Sequence, residues 1–228
     1  MTENKGSEAQ FACSGCGNVH KVAVYGRINV SEQPELKGRV RDGSLFVWEC
    51  PHCGTHNLAK YQVLYHDPAE RVMLWLLPAG ALPESRISDV EQALSQQIGS
   101  GDSGLEGYVL RRVDDVGSLI EKVGIFDCGL DDIVVEMCKY VTRMELAEKM
   151  KDAAQAAELA DAVFRFCRMD GADNEIMLSF PLGGQMHGVN IGFNVYEDCR
   201  GILQRNPAVK PAPGFARIDS DWLGRFFR

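Results

Sequence analysis

No apolar run in this 228-residue chain is long enough to cross a bilayer. The longest, Val72 to Leu82, is interrupted by Pro78 and falls well short of the roughly 20 residues that a spanning helix needs. The sequence also lacks the short motifs of the common catalytic machineries. There is no phosphate-cradling glycine loop with a lysine, no G-x-S-x-G elbow, no H-E-x-x-H, and no dinucleotide fingerprint set between a strand and a helix. Triads are assembled in space, so this argues against an enzyme without excluding one. Positive charge is scarce: 24 Lys and Arg stand against 32 Asp and Glu. Residues 1–78 carry 8 of each sign, residues 79–200 carry 11 basic against 22 acidic, and the last 28 carry 5 against 2. No basic stripe is present to release counterions from a phosphate backbone, which argues against nucleic acid as a partner.

What is present suits a globular protein. The apolar fraction is 45% and the charged fraction 25%, enough to build a core. The length favours two modest domains over one. The opening decapeptide MTENKGSEAQ is polar and of mixed charge, so residues 1–10 are expected to be a loose tail, neither signal nor transit peptide. The expected location is cytoplasmic.

Eight cysteines in a chain of that kind point away from disulfides. Cys128, Cys138, Cys167 and Cys199 are scattered among apolar neighbours and are expected to be small buried hydrophobes. The other four form two C-x-x-C pairs, Cys13/Cys16 and Cys50/Cys53, each followed by glycine. Two such turns supply four thiolates, which close the tetrahedral sphere of Zn2+ and leave no position for water or substrate. Cys13, Cys16, Cys50 and Cys53 are therefore the expected ligands of a structural zinc. Iron is the second choice, because a tetrahedral all-sulfur site also suits it. A redox dithiol, and a catalytic zinc with His52 or His56 as ligand, are the remaining alternatives.

The patterning predicts an α+β fold. A zinc-ribbon-like β domain over 11–78 has strands at Val19–Val30, Ser44–Glu49, Leu58–Tyr65 and Val72–Leu77. A helical insertion capped by Ser31 ends near Gly43. Residues 79–104 read as a linker with a helix at Ser88–Ile98 and a flexible Gly/Ser cluster at 99–104. Residues 105–228 form an acidic α+β domain. It opens with a strand at Tyr108–Val113 and a helix carrying Val116, Leu119, Ile120 and Val123 on one face. A long helix follows with a stripe of Leu130, Ile133, Val134, Met137, Cys138, Val141 and Met144. Strands at Phe164–Met169, Ile176–Phe180 and Val189–Phe193 come next, then a helix capped by Asn194 and a last strand at Phe215–Ile218. No fixed-period repeat is evident. His66-Asp67-Pro68 reads as an Asx-type turn rather than an acid–base pair, and His187 carries no role. Trp222, Phe226 and Phe227 are expected to pack on the second domain rather than form an interaction patch.

The chain resembles the CpXC domain proteins. The resemblance rests on Cys50-Pro51-His52-Cys53-Gly54, on residues 29–36 (NVSEQPEL), on Leu64-Tyr65-His66-Asp67-Pro68, and on residues 125–132 (IFDCGLDD). It departs at Ser14, where the family has proline. It implies a zinc-bearing fold and no activity. The expectation is thus a zinc-binding protein whose most fitting role is a protein-interaction or regulatory module. A nucleic-acid-associated ribbon factor and an enzyme with a spatially assembled site in the second domain are the alternatives.

Overall fold

The computed structural model describes residues 6–99, 106–171 and 174–227. Among them are seven helices and four small sheets, a mixed α+β architecture as the patterning predicts. The chain divides into two compact units. Residues up to Ile120, with Ala212–Ala216, form the first; Glu121–Pro211, with the residues from Arg217 onward, form the second.

In the first unit, β1 (Ser7–Ala12) and β2 (Val19–Val24) pair antiparallel on either side of the first cysteine turn. Ser7–Gln10, expected in the tail, are therefore strand, because the turn folds its two arms back on each other; residues 1–5 lie outside the described residues. The strand expected over Val19–Val30 breaks at Tyr25-Gly26, where the Gly26 carbonyl accepts the Leu64 N–H at 2.9 Å and redirects the chain. The continuation, β3 (Arg27–Asn29), joins a different sheet.

Helix α1 (Pro34–Arg41) starts with proline at its first turn, where a missing N–H costs nothing. Ser31 is not its cap. Gln33 holds that position and its side chain makes no capping bond to the helix, while Asn29 Oδ1 accepts the Ser31 N–H at 3.1 Å and shapes the preceding turn. Leu36 and Val40, four residues apart, are the buried face, and Gly43 at φ +77° closes the helix as expected.

Strands β4 (Val47–Glu49) and β5 (His56–Leu58) flank the second cysteine turn. Then come β6 (Val63–Asp67), β7 (Val72–Leu76), helix α2 (Glu84–Gly99) and β8 (Val109–Val113). The main sheet has the order β3-β6-β7-β8. Central β7 is apolar at every position and buried at every position, as a strand covered on both faces must be. On one face Met73, Trp75 and Leu77 pack with Ile87 and Phe215, and Val90 and Leu94 of α2 extend that cluster. Burial on the scale of Trp75, which is 0% exposed, contributes about 1.5–3 kcal/mol per large side chain.

Strand β8 was expected to open the second domain. It instead pairs parallel with β7, Val72 opposite Val109 through Leu76 opposite Val113, and completes the first unit's sheet. The expected boundary at residues 79–104 is thus crossed by the sheet, and the division falls inside helix α3 (Val116–Asp127). Residues 100–104 of the predicted Gly/Ser cluster lie outside the described residues. At the β6–β7 turn Asp67 Oδ1 accepts the Ala69 N–H at 3.2 Å, the Asx geometry expected there.

The second unit holds helix α4 (Asp132–Lys149), α5 (Ala153–Asp161), the antiparallel sheet of β9 (Arg165–Asp170), β10 (Glu175–Leu182) and β11 (Gln185–Gly192), then α6 (Phe193–Arg205) and α7 (Ser220–Leu223). The β10–β11 hairpin turns at Gly183 (φ 59°) and Gly184 (φ 72°), two positive angles that match strand twist and favour glycine. Register carries β11 to Gly192, so the chain turns helical at once and Asn194 falls inside α6 instead of capping it. Asp131 caps α4, its Oδ1 accepting from Ile133 N at 2.8 Å, and Asp219 caps α7. The strand expected at Phe215–Ile218 reduces to one bridge, Arg111 to Ala216. Trp222 and Leu223 are buried.

Helix α4 departs from its predicted stripe. Met144 is 46% exposed, whereas Asp132, Glu136 and Lys139 are buried. They meet opposite charges. Lys122 Nζ donates to Asp132 Oδ2 at 2.6 Å, and Lys139 Nζ reaches Glu121 at 3.0 Å and Glu136 at 2.6 Å. Glu121 also accepts the Phe166 N–H at 2.8 Å, which occupies an amide of β9.

Candidate metal centre

The two cysteine turns are copies of one backbone device. Cys13 N–H donates to Asn18 O and Gly17 N–H to Cys13 O; Cys50 N–H donates to Thr55 O and Gly54 N–H to Cys50 O, all at 2.8–2.9 Å. Gly17 (φ +74°) and Gly54 (φ +71°) occupy the left-handed conformation that lets each amide turn back. The positions correspond at a constant offset of 37: 13 with 50, 16 with 53, 17 with 54. The parallel pairing of β3 with β6 keeps that offset, Arg27 opposite Leu64 and Asn29 opposite His66. A repeat that residue identity shows only at the cysteines and their following glycines is therefore carried by the backbone.

The turns face each other. The sulfurs of Cys13, Cys16, Cys50 and Cys53 all lie within 4.8 Å of one another. Cys13 Sγ is 3.6 Å from Cys53 Sγ, and Cys16 Sγ is 3.7 Å from Cys50 Sγ. A tetrahedron of four thiolates around zinc, with Zn–S near 2.3 Å, has sulfur–sulfur edges of about 3.8 Å. A disulfide needs about 2.05 Å, so the pairs are too far apart to be bonded. The four residues fit one tetrahedral ion. Cys13 and Cys50 are buried beside Trp48 and Ala59, with Phe11, Val22 and Tyr61 packed alongside, while Cys16 and Cys53 face solvent.

Hydrogen bonds to sulfur complete the site. Cys13 Sγ accepts from Gly15 N–H at 3.3 Å and Asn57 Nδ2 at 3.6 Å. Thr55 Oγ1 lies 3.2 Å from Cys53 Sγ, and His20 Nε2 lies 3.3 Å from Cys50 Sγ. The Cys16 amide, with help from Gly15 and Asn57, brings the Cys13 thiol down to about 6. Cys16 is pulled down by the Asn18 amide, yet desolvation and the sulfurs of Cys53, Cys50 and Cys13 push it up to about 12. Cys53 is held below the usual thiol range, chiefly by the Thr55 side chain and amide. Cys13 and Cys53 therefore ionise readily while Cys16 resists, because like charges crowd a small volume; a cation removes that conflict.

His52 and His56, weighed as alternative ligands, are exposed and outside the sulfur cluster. His20 and Asn57 escaped the sequence reading, although a signal existed: each stands seven residues after the first cysteine of its own turn. Each serves the opposite turn's sulfur. His66 Nε2 pairs with Tyr108 OH at 3.2 Å, and His187 Nε2 lies 3.2 Å from the Leu182 carbonyl; among the described residues neither meets a carboxylate in an acid–base arrangement. Of the scattered cysteines, Cys138 and Cys199 are buried as expected, but Cys128 and Cys167 are exposed, since their positions at a helix end and on a sheet edge leave them uncovered. No helix among the described residues is long and apolar enough to cross a membrane.

The chain is 26% identical over 137 residues to an uncharacterised protein of Treponema pallidum (strain Nichols), covering 58% of this chain and 61% of that protein. The chain thus spans about three fifths of the length of the curated relative it matches. No solved structure matches it. The model of the family described as CpXC protein matches residues 11–139, which takes in both cysteine turns, the main sheet and the head of α4. Since that stretch is more than half of the chain, this is a member of the CpXC family.

Proposed function

We propose that Cys13, Cys16, Cys50 and Cys53 hold one structural Zn2+, and that the protein acts in the cytoplasm as a protein-interaction or regulatory module rather than as an enzyme. One observation carries the reading: four sulfurs from two matched turns converge at tetrahedral spacing. Four thiolates fill the sphere of the ion, so the site supplies folding energy and no open position for chemistry. In isolated zinc peptides that energy is on the order of 10–16 kcal/mol, more than a small ribbon's core yields alone. A partner surface is favoured by Val47 and Leu58, which face each other across β4 and β5 and are 50% and 48% exposed.

Elemental analysis of the purified chain tests the metal. The expected result is one zinc per chain, lost in Cys50→Ser together with the ribbon's structure while α3–α6 keep much of theirs. A metal-free yet fully folded wild type refutes the site, and stoichiometric iron refutes the choice of ion. For the partner role, Val47→Glu/Leu58→Glu should keep its zinc and lose a protein that the wild type captures. Identical capture by both, or none by either, counts against it.

A further inference from the structure

The first cysteine turn carries Ser14 where the second carries Pro51. Proline stiffens a turn by fixing φ, so the first turn should be the looser of two otherwise identical devices. The structure shows what stands in its place. Asn57 is 9% exposed and uses its amide fully. Its Oδ1 accepts from Ser14 N–H and from Ser14 Oγ, both at 2.8 Å. Its Nδ2 donates to Thr55 O at 2.8 Å and to Cys13 Sγ at 3.6 Å. The orientation of the amide is unambiguous, because a backbone N–H only donates and a backbone carbonyl only accepts. One side chain on β5 therefore holds the backbone of the opposite turn, its own turn's Thr55, and a sulfur of the site.

We infer that Asn57 is a positioning residue that replaces the missing proline: it clamps Ser14 so that Cys13 and Cys16 present their sulfurs in register with Cys50 and Cys53. This rests on the metal reading above and extends it to a residue outside the four ligands. Proline at position 14 has neither the N–H nor the hydroxyl that Asn57 holds, so clamp and proline are alternative solutions at one turn. The matched hydrogen bonding of the two turns gives position 14 the backbone course that Pro51 already follows. Groups one bond beyond a metal's ligands commonly set affinity by about 10–100-fold.

A double-mutant cycle on the full-length chain tests this, with Zn2+ affinity read by competition with a chromophoric chelator and Co2+ absorption as a second readout. Asn57→Leu keeps the volume and orphans the Ser14 N–H; it should lower affinity by about 10–100-fold and move the cobalt–thiolate bands, since Cys13 Sγ loses a donor. Ser14→Pro removes the orphan, so Asn57→Leu in that background should cost only about a few-fold. Wild-type affinity in Asn57→Leu overturns the inference, as does an equal loss in both backgrounds. Should Asn57→Leu alone fail to fold, a folded Ser14→Pro/Asn57→Leu protein supports the clamp and an unfolded one overturns it. A wild type that binds no metal overturns the metal reading and this inference with it, whereas a metal-binding wild type matched by Asn57→Leu overturns this inference alone.

Discussion

Lys139→Met is a severe test of the charge network on α4. The Lys139 side chain is 11% exposed, and its ammonium touches Glu121 and Glu136, whose side chains are 6% and 5% exposed. Methionine keeps the volume but leaves two buried carboxylates facing each other. Glu121 retains the Phe166 N–H and Arg165, so the uncompensated charge concentrates on Glu136. Breaking a buried pair by removing one partner costs about 3–5 kcal/mol. For a chain of this size each kcal/mol lowers the midpoint by about 2–4 °C, so thermal unfolding followed by far-UV circular dichroism should show a drop of about 10–15 °C near pH 8. The pH dependence adds a signature. Burial already raises the Glu136 carboxyl above its ordinary range, against the pull of Lys139 and Lys122. Losing Lys139 raises it further. A carboxyl with a raised folded-state pKa binds its proton more tightly folded than unfolded, so stability falls as pH climbs through that range. The deficit of the variant should therefore shrink markedly between about pH 8 and about pH 5. A loss under about 1 kcal/mol, or one independent of pH, would refute the claim that these charges are buried and mutually compensating.

Other substitutions probe single contacts. A Cβ on Gly15 would sit 2.4 Å from Thr55 Oγ1, so Gly15→Ala should cost about 1–3 kcal/mol in chemical denaturation, and Thr55→Ala should relieve much of it. Asp131→Ala removes the α4 cap and should lower stability by about 1 kcal/mol in the same assay, with Asp131→Asn close to wild type. Arg71 sits at φ 52° without being glycine, so Arg71→Gly should be neutral or stabilising by about 1 kcal/mol despite losing a side chain; a clear destabilisation would show that the Arg71 side chain outweighs its backbone strain.

The four clustered cysteines were legible because their spacing is local: a C-x-x-C-G turn announces its geometry within five residues. Their supports were not, because His20 and Asn57 act across the gap between turns. The break at Tyr25-Gly26 was hidden by alternation that continues through it, although the two halves pair in different sheets. On α4 the misleading signal was physical. Asp132, Glu136 and Lys139 fall at i, i+4 and i+7, the spacing of a core-facing stripe, yet charge suggests a solvated face. Only the opposing Lys122 and Glu121, ten and more residues away, reveal that the stripe is inward.

The constant offset of 37 makes the cysteine-bearing half of the molecule a fused pair of arms, each contributing two thiols, a hairpin and one strand of the parallel couple. A solitary arm offers two of the four clustered sulfurs and an unpaired strand, and could complete itself only by meeting a second copy, at the mercy of concentration. Joining both in one polypeptide turns that encounter into an intramolecular one. It also frees the arms to diverge, which is how one could keep its proline while the other relies on an asparagine borrowed from its twin.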